Sequence, residues 1–226
     1  MVLELFQKPL LVLLFTLGAM SVLWFFQIRR LMILRMKRVV EVLEEELAPR
    51  DKNYLLLGYL VGFKAVYKAP RRLGDASTVW ALYVQPPRHI LFYLPLIHLM
   101  RSRERLEITL KLRRLAVRGE AHLYDPRERP VRREVSKDLS ASRPLSKRVM
   151  VVLDGKSFEL VSSSDEAERY VLAIAKFFLE RAGLPLFRVS FSSRLSALHI
   201  VFEPKLSGLR EALGVVREIT RWRSFS

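Results

Sequence analysis

Two kinds of residue in this chain of 226 could do chemistry: four histidines with neighbouring carboxylates, and a large surplus of arginine. Glu120 and His122 stand two apart in "GEAHLYD", so on a strand both would face one way and could serve as an acid/base pair. The same spacing is also that of an ordinary solvated strand face. His89, His98 and His199 follow no paired helical spacing, and no HExxH, GxSxG, P-loop or dinucleotide fingerprint occurs, so no catalytic residue is assigned. The absence of cysteine excludes disulfides, thiolate zinc sites, iron–sulfur clusters and a cysteine nucleophile. No cofactor and no metal site is expected, which weighs against an enzyme.

Charge points to a partner instead. Lys and Arg number 39 against 23 Asp and Glu, a net +16, and such an excess suits an anionic surface, either lipid or nucleic acid. Of the 39 cations 28 are arginine, a composition that fits a protein from a hot environment. Two groups stand out. Arg29, Arg30, Arg35, Lys37 and Arg38 follow an apolar run and are placed to meet anionic headgroups. Arg127, Arg129, Arg132, Arg133, Lys137, Arg143, Lys147 and Arg148 lie in "YDPRERPVRREVSKDLSASRPLSKR" (124–148), whose three prolines and weak apolar periodicity predict a mobile loop. That loop could contact phosphate or RNA, or be a plain solvated connection.

The elements that must position these groups begin with "PLLVLLFTLGAMSVLWFFQI" (9–28), twenty residues without a charge. At about 1.5 Å per residue, such a helix covers a hydrocarbon core of about 30 Å. The run ends in aromatic residues and then arginines rather than in a small-residue cleavage site, so it reads as an anchor and not a leader. Residues 1–8 would lie outside. By the positive-inside rule the rest would lie in the cytoplasm, in a single-pass protein of the cell membrane. Apolar residues at helical spacing from Leu31 to Leu47 carry the helix onward as a stalk (29–48), basic first and then acidic through Glu41, Glu44, Glu45 and Glu46. Those acids could pair with the domain's own basic surface or only keep the stalk solvated.

Residues 53–226 predict an α+β domain, an antiparallel sheet packed by two helices. Strand candidates are "NYLLLGYLVGFKAVYK" (53–68), "STVWALYVQ" (77–85), "ERLEITLKLRR" (104–114) with "GEAHLYD" (119–125) as its expected partner, "LFRVSFS" (186–192) and "ALHIVFEP" (197–204). "RVMVVLDGKSFELVS" (148–162) carries an Asp-Gly hairpin signal. One helix should run from a Ser164 cap to Gly183, and another from about Ser207 to Trp222. "PPRHILFYLPLIHLM" (86–100) is too short to span and contains Pro95. Its Ile90, Leu91, Phe92, Leu94, Leu96, Ile97, Leu99 and Met100 could be core, an interfacial element, or the surface that receives a partner's apolar helix.

Taken in order, "IRRLMILRMKRVVEVLEEEL", "LLLGYLVGFKAVY", "LPLIHLMRSRERLEITLKL" and "LHIVFEPKLSGLREALGVVREIT" resemble the layout of the calumin family, coiled-coil endoplasmic reticulum membrane proteins of the multipass translocon. The resemblance covers most of the chain by order and pattern, without an invariant motif. The family's acidic segment before the anchor and its long basic coiled coil have no counterpart here, as in a short prokaryotic or archaeal version, so ribosome contact would fall to 124–148. The resemblance implies a non-enzymatic, chaperone-like factor in membrane protein biogenesis, associated with the ribosome beside an Oxa1-type insertase. Two other classes fit the residues: a membrane-tethered hydrolase or transferase acting on a lipid or nucleotide, and a scaffold held against anionic lipid.

Overall fold

A computed structural model of the protein describes residues 9–58, 60–68, 73–99, 103–114, 117–141 and 147–222. The architecture is α+β: one long apolar N-terminal helix, then a nine-stranded antiparallel sheet with helices packed on it. Helix α1 (Pro9–Leu47) is continuous for 39 residues, and its first half is long and apolar enough to cross a membrane. The strands are β1 (Asp51–Leu56), β2 (Gly62–Lys68), β3 (Ala76–Val84), β4 (Arg105–Leu112), β5 (Glu120–Tyr124), β6 (Lys147–Leu153), β7 (Lys156–Ser162), β8 (Leu186–Ser192) and β9 (Ala197–Phe202). Their order across the sheet is β1-β2-β3-β4-β9-β8-β5-β7-β6.

Alternation along each strand gives the sheet two different faces. Leu106, Ile108 and Leu110 of β4, Leu198 and Ile200 of β9, and Val189 and Phe191 of β8 point to one side and are fully buried. Helices α4 (Asp165–Ala182) and α5 (Leu209–Ile219) cover that side. Ser164 caps α4 by accepting the Ala167 N–H at 3.2 Å, and Gly183 closes it with φ +60°. The second half of α1 joins them, with Val39, Val42, Leu43 and Leu47 inside the same core. Three helices therefore cover this face, where two were expected.

The stalk is accordingly no free element. Its acidic turn faces cations of the domain: Glu44 pairs with Lys52 at 2.6 Å and accepts from the Tyr54 hydroxyl, Glu45 pairs with Arg210, and Glu46 with Arg217 at 3.7 Å. Pairing and apolar burial together fix α1 to the domain.

Other expectations are corrected. Residues 53–68 are two strands, because the backbone turns at Gly58 and Gly62. A Cβ at Gly62 (φ +154°) would stand 1.9 Å from the Tyr83 carbonyl oxygen, so only glycine lets β2 approach β3 here. Strand β5 does not pair with β4; the β8–β9 hairpin lies between them, and β5 pairs with β7 and β8. The Asp154-Gly155 turn joins β6 to β7 as expected, both residues having positive φ. Within 124–148, residues Arg129–Ala141 form helix α3 rather than an open loop. Val131 and Val135, one turn apart, seat it on Tyr124, Val161, Phe187 and Val201 of the sheet's second face.

Candidate functional site

Position-by-position alternation makes the second face polar beside α3. One cross-strand row reads Thr109, His199, Ser190, His122 over β4, β9, β8 and β5; the neighbouring rows supply Glu107 and Arg188 on one side, Ser192 and Glu120 on the other. A register irregularity between Leu186 and Arg188 serves this arrangement. It lets Leu186 enter the main core while Phe187 and Arg188 both turn to the second face. Glu134 of α3 closes one side of the resulting cavity, of about 380 Å³, and Arg194 and Leu195 form its rim.

Its polar groups are buried: Glu107 is 7% exposed, and His122, Arg188 and Ser190 are similarly enclosed. The hydrogen bonds are short. His199 Nδ1 lies 2.7 Å from Thr109 Oγ1, Arg188 Nε donates to Ser190 Oγ at 2.6 Å, and Ser192 Oγ donates to Glu120 Oε1 at 2.7 Å. Arg105 pairs with both Glu107 and Glu134 at 3.4 Å. Burial, with Glu134 nearby, raises the Glu107 carboxyl above its ordinary range despite Arg105 and Arg188. Burial also drives His199 down to about 3, helped by Arg188, His122 and Arg105. Glu107 Oε2 and His199 Nε2 stand 3.9 Å apart. The imidazole is thus held neutral beside a reluctantly ionised carboxyl, within reach of a group that could enter the cavity. Among the described residues, no group of three or more His, Asp or Glu could hold a metal ion.

Glu120 and His122, which the sequence offered as a possible pair without an assignment, both line the cavity, where Glu120 accepts from Ser192, but Glu107, Thr109, Glu134, Arg188, Ser190 and His199 were missed. Their only signal was polar residues at alternate positions of strands whose pairing was unknown.

A second candidate site lies where α1 meets the domain. Trp24 Nε1 donates to the Arg88 carbonyl at 2.9 Å, and the Phe25 and His89 rings meet edge to face at 5.9 Å. About three turns of α1 further on, buried Glu104 receives Arg35 at 2.7 Å and Arg88 at 3.3 Å. Burial raises its carboxyl, with Arg35 and Arg88 opposing. The 86–99 segment therefore runs beside the end of the apolar helix, as a single 3-10 turn (Leu91–Tyr93) followed by helix α2 (Leu94–Leu99). Of the residues expected to meet a partner helix, Ile90, Phe92, Leu96 and Leu99 are exposed, the last two-thirds or more in company with Phe92 (82% and 66%). Leu91 and Leu94 are half-buried and Ile97 is buried. Met100 lies outside the described residues.

The expected cation sets divide. Arg30 is exposed and Arg29 half-buried at the end of the apolar run, whereas Arg35 is bound to Glu104 and Lys37 and Arg38 pair with Glu41 at 3.8 and 3.2 Å. Arg127 precedes α3, and Arg129, Arg132, Arg133 and Lys137 are exposed on it. Lys147 is tied to Glu168 at 2.9 Å and Arg148 to Glu159 at 2.6 Å, so β6 offers its acids along with its cations. Arg143 lies outside the described residues. Compared with protein-family models and with curated proteins, the chain finds no match in either.

Proposed function

We propose that the protein is a non-enzymatic, single-pass membrane factor in membrane protein biogenesis, with its domain on the cytoplasmic side. In this reading Arg29 and Arg30 meet anionic headgroups and the outward cations of α3 meet ribosomal RNA. The 90–99 surface receives another protein's transmembrane helix beside an Oxa1-type insertase. The observation that carries it is the exposure of Ile90, Phe92, Leu96 and Leu99 on a segment fastened to α1 at Trp24. Trp24 is four residues, about 6 Å, inside the end of the apolar run, so with α1 across the bilayer Arg88 and His89, which open that segment, sit near its inner boundary. Exposed apolar area of this kind marks an interaction surface. The cation excess after the run supports the inside orientation, and the resemblance to the calumin family points the same way.

The test places a photo-crosslinking amino acid at Phe92 and programs ribosomes with nascent membrane proteins. Expected are an adduct to a nascent transmembrane helix, and ribosome co-sedimentation that disappears as salt is raised. No adduct and no ribosome binding at low salt would overturn the reading.

One observation favours a second reading, a membrane-tethered hydrolase or transferase: the Glu107–His199 pair lining a cavity. The cavity row at Thr109 lies five residues along the chain from Glu104, about 17 Å from that α1 contact. That distance favours a water-soluble, nucleotide-like substrate over a lipid. Raised melting temperature with such a compound, lost in Glu107→Gln, would support it; the same shift in the variant would sink it.

A further inference from the structure

Exposed apolar side chains reach the α1 end of the domain from a second, separate stretch of chain. At the end of β1 Leu55 and Leu56, and in the turn to β2 Leu57 and Val61, are all exposed, Leu56 at 73%. Tips of water-facing hairpins are ordinarily built from Gly, Asn, Asp and Ser, so four large apolar residues at one hairpin end call for an apolar neighbour.

The turn is firmly held. Buried Gln85 donates its backbone N–H to the Val61 carbonyl at 2.9 Å and its Nε2 to the Leu60 carbonyl at 3.2 Å. Three residues beyond Gln85, the Arg88 carbonyl receives Trp24. Three residues reach at most about 11 Å, so Gln85, which holds the turn, lies within that distance of the residue that Trp24 binds. Charge agrees with position. No acid occurs from Lys52 through Gly74, nor from Ala76 through Arg103; exposed Lys64 stands opposite Leu55, while Lys52, Lys68, Arg88 and Arg103 pair with Glu44, Asp51, Glu104 and Glu203.

We propose that the β1–β2 turn enters the interfacial layer of the bilayer that α1 crosses. Leu55, Leu56, Leu57 and Val61 meet the acyl boundary there, and Lys64, opposite Leu55 on β2, meets anionic headgroups. The occupant of this surface is lipid. The proposal rests on α1 spanning the membrane. Two holds on one leaflet, the span and the turn, keep the domain from swivelling about a single helix and so fix the direction in which the 90–99 surface faces.

The chain has no cysteine, so single labels can be placed without background. Full-length L56C, L23C and L195C would each carry an environment-sensitive fluorophore in vesicles of phosphatidylcholine and phosphatidylglycerol doped with spin-labelled phosphatidylcholine. Leu23 is in the apolar helix, and Leu195 is an exposed residue on the cavity rim. Expected is blue-shifted, quenched emission at L23C and L56C, with L195C unshifted and unquenched. L56C behaving like L195C while L23C is quenched would overturn the proposal and leave the span standing. An unquenched L23C would overturn both.

Discussion

Residue-scale consequences are sharpest where one side chain has no substitute. Gly62→Ala puts a methyl carbon into the Tyr83 carbonyl, so β2 must separate from β3. The expected loss is about 3 kcal/mol or more, read from denaturant unfolding in detergent. His199 gives a pH signature. Its folded-state value near 3 lies below that of the unfolded chain, so the unfolded chain binds the proton first and stability falls as pH drops from about 6.5 toward 3. Glu107, raised in the fold, acts with the opposite sign above the ordinary carboxylate range. His199→Asn, which can keep a partner for Thr109, isolates the histidine part: between pH 7 and pH 5 the wild type should lose about 2 kcal/mol relative to the variant. Parallel stability curves would show that His199 is not held neutral.

At the scale of elements, the join between α1 and the domain combines a core contact with surface ion pairs, and these should differ in weight. Leu43 is fully buried beside α5, and Leu43→Ala should cost about 2–5 kcal/mol. Arg210→Ala removes only an exposed pair with Glu45 and should cost less than about 1 kcal/mol. If Arg210→Ala proves the more damaging in thermal unfolding, the join is electrostatic and this account fails. Glu104 is a different case. Its carboxylate is buried but Arg35 and Arg88 are partly exposed and water can take them over, so Glu104→Ala should destabilise by about 1–2 kcal/mol and loosen the 86–99 segment from α1. Proteolysis within 86–99, slow in the wild type and fast in the variant, would report that loosening.

For the molecule as a whole, charge and topology decide how it meets large partners. Outward Arg129, Arg132 and Arg133 on α3 should make phosphate binding salt-dependent, and replacing all three by Glu should flatten the logarithmic salt slope by about 2 units. An unchanged slope would remove α3 from the proposed RNA contact. The sequence by itself determined what depends on neighbours along the chain. The uncharged run from Pro9 to Ile28, the Asp154-Gly155 hairpin, the capped helix from Ser164 to Gly183 and the alternating β4 were legible because spacing, caps and turn residues act locally. The cations of 124–148 were visible too, but not the helix that carries them, since the inward face of α3 has so few apolar residues. Tertiary structure alone decided that β8 and β9 separate β4 from β5, and that change of neighbours made the site. It set His199 beside Thr109 and near Glu107, and brought Arg188 to the cavity through a bulge. It also carried the 55–61 turn to the end of the domain where α1 emerges. Strand pairing is set by burial summed over the whole sheet, with each strand's apolar edge interchangeable with another's, so no local pattern could choose the partners.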